Sequence, residues 1–215
     1  MTMLRYNAGK IPASLIPTSF FEAIFNSAYE CGAPLPTKLL ELVGQVLDFG
    51  AQKYDAHNWR KGGPWSSVMN SALRHLVFRM IPGFTTDAES GLSEAGHLGC
   101  NIAFLLEFAH TGNGTDDRFR TTWTPGFTGN PDPSLVWVLN ELLAFRDGGS
   151  TDRLVSAAWE LARWVEAQQE PTKVAAPPQI DTKGVTVARV NTDTPLPFRF
   201  PSFNVDVSHV LNTVH

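Results

Sequence analysis

The segment Asp87-Ala-Glu-Ser-Gly91 and the Glu94, His97 and Asn101 that follow it are the residues best equipped for chemistry. Carboxylate oxygens and imidazole nitrogens are donors that a divalent cation accepts. Acids at 87, 89 and 94 with a His at 97 supply both kinds within a short stretch. At 100° per residue on a helix, Glu94, His97 and Asn101 lie within about 60° of one another, on a line that continues into Phe104 and Phe108. A second stripe, Ala95, Leu98, Ile102, Leu105 and Ala109, runs beside it. The polar line therefore sits on or at the edge of the buried side, where polar groups need partners. A lone His in such a place is ordinarily a satisfied core residue. An acid three residues earlier and the acidic pair before the helix turn the expectation toward a metal or phosphate role.

Other residues join this set on weaker grounds. His75 shares a helix edge with Val68, Ala72 and Arg79, so it can point toward a facing helix, whereas Arg74 projects elsewhere. A core histidine and a surface ion pair are the plain alternatives for these two. Glu41 keeps the angular company of Gln45, Asp48 and Gln52 and reads as part of a solvated face. Lys53 falls on the apolar side of its helix near the C-terminal end, where an ammonium favours the helix dipole. With Asn58, Trp59, Arg60 and Lys61 it also offers cations for phosphates and an aromatic face for a base.

The elements that must position these groups are helical. Pro12, Pro17, Pro34 and Pro36 bracket an apolar stretch, 19–29, expected as a short helix after a Ser cap. Residues 37–54 show apolar positions at helical spacing with a polar opposite face. Ser66 is expected to cap a second main helix to about Met80, apolar around most of its circumference and hence central; Pro82-Gly83 stops it. A third begins near Ser90 or Ser93 and ends at Gly112-Asn113-Gly114. Short connections predict antiparallel packing. Beyond a Gly/Pro/Thr/Asn-rich stretch at 121–133, helices at 134–146 and 151–168 read as a hairpin broken at Gly148-Gly149. From Pro171 the chain reads as an extended tail with strand-like runs at 185–190 and 203–207.

At 215 residues, with 43% hydrophobic and 18% charged residues, the chain is long enough to bury a core. A net charge of −4 and the absence of Lys/Arg runs disfavour a polynucleotide partner. Cys31 and Cys100 have no pairing or zinc spacing, which fits a reducing compartment. No apolar run approaches the ~18–20 residues of a membrane span, so a cytoplasmic protein is expected, with no membrane partner.

Several of these motifs, taken in order, carry a family likeness. Arg5-Tyr-Asn-Ala-Gly-Lys10, Phe49-Gly-Ala-Gln-Lys-Tyr54 with Asn58-Trp59, Ala72-Leu-Arg-His75, and Asp87-Ala-Glu-Ser-Gly-Leu92 with His97 and Asn101 together resemble the N-terminal domain of phage dATP/dGTP diphosphohydrolases. These are similar to the all-α MazG-like nucleotide pyrophosphohydrolases. The resemblance implies a mainly α, antiparallel MazG-like bundle over 1–114, followed by a linker and helical hairpin over 115–170 and the tail over 171–215. It implies cleavage of a purine deoxynucleoside triphosphate, dATP or dGTP, to the monophosphate and pyrophosphate with Mg²⁺ or Mn²⁺, in a host-cell cytoplasm and as a homo-oligomer. In the broader group, carboxylates in ExxE and ExxD patterns on two helices hold the metals. Here Glu94-Ala-Gly-His97 takes the second place with His for Asp, and the first has no counterpart beyond His75. The implied metal ligands are Asp87, Glu89, Glu94, His97 and His75, with Glu94 or Glu89 as catalytic acid or base. Lys10, Lys53, Lys61 and Arg74 would neutralise the triphosphate, and Asn58, Trp59 and Asn101 would contact sugar or base. A non-catalytic nucleotide-binding or accessory protein on the same scaffold is the main rival. A His-based phosphohydrolase of the HD class, releasing nucleoside, ranks last because no adjacent His-Asp pair occurs.

Overall fold

The computed structural model describes residues 9–120 and 132–168. These described residues belong to one compact unit, and the expected tail with its strand-like runs lies outside them. Among the described residues the protein is helical, with no strand: α1 (Thr18–Glu30), α2 (Lys38–Lys53), α3 (Trp65–His75), α4 (Glu94–Thr111), α5 (Pro133–Arg146) and α6 (Asp152–Ala167). Short 3₁₀ turns occupy Ala13–Leu15 and Asn58–Lys61, and a π-turn, Leu76–Met80, extends α3.

α4 is the centre of the unit, because its apolar residues face every side. Leu98, Ile102, Ala103 and Leu105 have no exposed surface, and the helix packs on α1, α2, α3 and α6. Two glycines allow the closest of these approaches. A Cβ on Gly96 would stand 2.9 Å from the Leu42 carbonyl oxygen, and one on Gly99 2.8 Å from Val43 Cγ2, so α2 lies against bare α4 backbone. The expectation that the 66–80 helix is the central one is corrected here. α3 and the π-turn together bury Trp65, Met69, Ala72, Leu76 and Met80 on one side only, while Phe78 remains 69% exposed. An apolar composition on all sides thus identifies α4, where neighbours cover it, and misleads for α3, where they do not.

The helix starts also differ from two of the expected caps. α1 begins at Thr18 after Pro17, and the Ser19 hydroxyl instead donates to Glu107 on α4 at 2.7 Å. α3 begins at Trp65 after Pro64, and Ser66 binds Asp117 through its N–H and hydroxyl. At α4 the choice between Ser90 and Ser93 resolves to Ser93, whose hydroxyl accepts from Gly96 N–H. Gly112, at φ 70°, ends the helix in the left-handed region that favours glycine. α5 and α6 pack on each other as expected, and Leu135, Val138, Leu154 and Leu161 belong to the same hydrophobic cluster as α1–α4. Arg118, only 8% exposed, fastens the chain after α4 to this pair. Its guanidinium donates to the carbonyls of Phe145 (2.8 Å) and Gly149 (3.2 Å) and lies over the Phe145 ring.

Candidate functional site

The loop before α4 is shaped by Asp87. Its Oδ1 accepts from the N–H groups of Glu89 (3.1 Å) and Ser90 (2.9 Å), and from the Ser90 hydroxyl at 2.9 Å. Asp87 N–H donates to Leu92 O, and Gly91, at φ 69°, makes the reversal possible. The sequence Asp-Ala-Glu-Ser-Gly is thus a self-capped turn that fixes one carboxylate. Burial works to raise the Asp87 carboxyl, but the bonds from Ser90, the nearby His97 and Glu89 N–H outweigh it and hold it below the usual carboxylate range.

Ser90 continues the chain of bonds. Having donated its only hydroxyl proton to Asp87, it accepts from Leu92 N–H and meets His97 Nε2 at 2.7 Å, so that nitrogen carries the proton. The His97 ring stacks on His75, centroids 4.9 Å apart and planes 11° apart. Burial first, and the like charge of His75 second, depress the His97 imidazole below its ordinary value against the pull of Asp87, Glu94 and Glu89. His97 is therefore neutral at neutral pH.

On the other side of this stack, His75 Nδ1 lies 2.7 Å from Glu94 Oε2, and Arg79 Nε donates to Glu94 Oε1 at 2.8 Å. Glu94 has no exposed surface. Ligand atoms of His75, Asp87 and Glu94 lie within 4.8 Å of one another, a nitrogen and oxygen set suited to a divalent cation. Both oxygens of Glu94 are already engaged, one by His75 and one by Arg79, so a cation held by all three residues would have to displace one of these bonds. Asp87 and His75 line the cavity itself.

That cavity, about 350 Å³, is also lined by Lys53, Asn58, Trp59, Glu89, His97 and Asn101. Lys53 Nζ contacts Glu89 Oε1 at 2.5 Å, a pair open to solvent, and the Glu89 bond is the main cause that raises the Lys53 ammonium. Asn101 turns its amide N–H back to the His97 carbonyl, which leaves its oxygen as an acceptor. Trp59 stacks on Phe104 at 6.1 Å, and its indole N–H is buried with no partner, as is Nδ1 of His57. His57 takes a left-handed φ of 59°, rare for a residue with a side chain. Burial pushes the Cys100 thiol, on the cavity wall, up to about 12, which removes it as a nucleophile.

Three of the expected residues do not line this cavity. Lys10 lies in a separate cavity with Gln45 and Asp48, whereas Lys61 and Arg74 sit at the rim, bonded to residues that do line it: Lys61 pairs with Asp55 at 3.3 Å and Arg74 donates to Ser71 at 2.8 Å. Arg79, Ser90, His57 and Phe104 were not among the expected site residues. Three of them had a usable signal: Arg79 shares a helix edge with His75 four residues away, Ser90 lies in the Asp87–Gly91 motif, and Phe104 continues the line of Glu94, His97 and Asn101.

The family described as dATP/dGTP diphosphohydrolase, N-terminal, matches residues 2–118, more than half of the chain. A dATP/dGTP diphosphohydrolase of Salmonella phage PMBT28 is 28% identical over 126 residues, which cover 59% of this chain and 36% of that relative. The chain thus matches only a little over a third of that relative's length. No solved structure matches. Among the described residues no helix is long and apolar enough to cross a membrane.

Proposed function

Because the chain belongs to the dATP/dGTP diphosphohydrolase N-terminal family, we propose that it cleaves a purine deoxynucleoside triphosphate between its α- and β-phosphates, releasing the monophosphate and pyrophosphate. The reading extends to a MazG-like arrangement of α1–α4, to Mg²⁺ or Mn²⁺ as cofactor, and to a homo-oligomer at work in a host cytoplasm. One observation carries it: a single cavity holds His75 and Asp87 at cation-binding spacing together with an aromatic wall of Trp59 on Phe104.

Asp87 and His75 would hold the cation, with Glu89 joining once its pair with Lys53 opens. When bound, a divalent cation neutralises phosphate oxygens and lowers the pKa of attached water. The residues of the chain do the remaining work. Lys53, exchanging Glu89 for a phosphate, offsets negative charge on the triphosphate and frees a solvent-exposed acid of the cavity for a proton. His97, neutral, fixes the Ser90 hydroxyl, and the bonds from Ser90 and Glu89 N–H keep Asp87 oriented and ionised. Trp59 gives the base a flat face, and its unpaired indole N–H is a donor that a purine ring nitrogen or carbonyl would satisfy once the loop adjusts. Asn58 and the free oxygen of Asn101 are placed to meet the sugar or the edge of the base.

The test is incubation with each dNTP and Mg²⁺ or Mn²⁺, followed by chromatography. Monophosphate and pyrophosphate from dATP or dGTP, lost in EDTA and in Asp87→Asn, is the expected result. No monophosphate from any nucleotide overturns the enzyme reading, and nucleoside with triphosphate would place the chain in the HD class. One observation favours the non-catalytic rival: two acids, Glu94 and Glu89, are each tied to a cation of the chain's own.

A further inference from the structure

Glu94 has no exposed surface and both its oxygens are bonded, one to Arg79 and one to His75, and a buried carboxylate held by two partners is costly to keep without a purpose. Arg79 approaches from the π-turn and is only partly covered, at 32% exposure. Its guanidinium also lies over the Phe84 ring at 4.3 Å and reaches Thr86 O at 3.4 Å. It is thereby fixed against the loop that leads into Asp87. Arginine is a donor only, so the oxygen of Glu94 facing it is committed as an acceptor. The second oxygen, 2.7 Å from His75 Nδ1, is an acceptor too while the carboxylate is ionised.

We propose that Glu94, clamped by Arg79, is a positioning residue: it accepts the Nδ1–H of His75 and so selects the tautomer whose Nε2 lone pair is left for a divalent cation in the cavity. This rests on the reading of the cavity as a cation site. A histidine that binds metal through one nitrogen ordinarily donates its other N–H to a carboxylate, which fixes ring and tautomer together. Here that carboxylate lies on α4 and the histidine on α3, so the contact between the two helices sets the protonation of the ligand. The stacked His97 ring keeps the His75 ring from rotating out of this orientation.

The arrangement makes Glu94→Gln an informative change, because it preserves shape and alters one hydrogen-bonding group. Arg79 can only donate, so it captures the amide oxygen. The amide NH₂ then faces His75 Nδ1, which must accept, and the proton moves to Nε2. The lone pair toward the cavity is lost with no change in packing. If Arg79 is also replaced, as in Arg79→Met with Glu94→Gln, the amide can turn its oxygen back to His75 and the original tautomer returns.

The experiment is ¹⁵N NMR of histidine-labelled, metal-free protein at about pH 8, above the ordinary imidazole pKa of about 6.5, with Mn²⁺ titrations followed by EPR on the same samples. His75 in the unaltered protein should be protonated at Nδ1. Glu94→Gln should move the proton to Nε2 and weaken Mn²⁺ binding by about 10- to 100-fold, and the double variant should reverse both. Protonation of His75 at Nε2 in the unaltered protein overturns the proposal without any variant having to fold. An unchanged tautomer in Glu94→Gln, or a changed tautomer with unchanged Mn²⁺ affinity, overturns it as well. Failure of the unaltered protein to hydrolyse any dNTP, with these NMR and EPR results intact, would remove the enzyme reading and leave the tautomer device standing.

Discussion

Replacing Gly96 by Ala tests whether the contact of α2 with bare α4 backbone builds the unit. The new Cβ would meet Leu42 O at 2.9 Å and Leu42 C and Cβ at 3.2 Å, against carbon contacts that are optimal at about 3.5–4.0 Å. Backbone cannot turn aside as a side chain can, so α2 and α4 must part by a few tenths of an ångström. Inserting a methylene-sized group into a packed interior costs about 1–3 kcal/mol. Alanine in a helix interior recovers about 0.8–1 kcal/mol of propensity. The net loss is about 1 kcal/mol, or a melting temperature lower by about 2–4 °C for a chain of this size. Gly50, in α2, is the matched control: nothing lies within 4 Å of its Cβ position, so the same substitution there should gain about 0.5–1 kcal/mol. Urea unfolding followed by circular dichroism separates the two. Gly96→Ala unfolding at the same or higher urea than the unaltered protein would refute the close approach.

Three further outcomes follow from named contacts. Ser90→Ala strips Asp87 of a hydroxyl donor and leaves His97 Nε2–H unpaired, which should cost about 1–3 kcal/mol in urea unfolding and weaken Mn²⁺ binding. Arg118→Ala removes a guanidinium shared by the Phe145 and Gly149 carbonyls and Asp116, and should cost about 3 kcal/mol in the same assay. The third concerns pH. His97 is depressed when folded, so the unfolded chain takes up its proton first; stability should fall as pH drops below about 6.5 and level off below the folded pKa. Asp87, also depressed, adds a second loss as pH falls below about 3.9 and on through its folded pKa. Urea midpoints from about pH 8 to 5 should show the first step, and His97→Gln should flatten it.

The helices were legible because apolar period and stop signals are local: Ser93 before α4 and Gly112 after it bound the helix where the sequence says they should. Which helix is central was not, since coverage depends on neighbours. Val68, Leu73 and Phe78 look as apolar in sequence as Leu98 and Ile102, yet Phe78 faces solvent and Leu98 has no exposed surface. Helical phase brought Glu94, His97 and Asn101 to one side, but phase gives no depth. It could not reveal that Glu94 goes to Arg79, His97 to Ser90 and Asn101 back to its own helix. These partners come from other turns and loops, and only the packed distances select them.

The same distances explain why a cation should be needed before a triphosphate can enter. Arg79 offsets Glu94, Lys53 offsets Glu89 and Lys61 offsets Asp55, while burial keeps the His97 imidazole neutral. The charge left over on the cavity wall is that of Asp87, kept ionised by Ser90. At an effective dielectric of about 20, one unit charge about 5 Å away repels a phosphate charge by about 3 kcal/mol, or roughly 100-fold in affinity. The cavity should therefore bind dATP or dGTP poorly in EDTA and well with Ca²⁺, a cation that tests binding apart from turnover, both read by calorimetry. Asp87→Asn should reverse the order, raising affinity in EDTA while abolishing the gain from Ca²⁺. Equal affinity of the unaltered protein with and without the cation would show that Asp87 does not face the phosphates, and the cation site would have to be sought away from the self-capped turn.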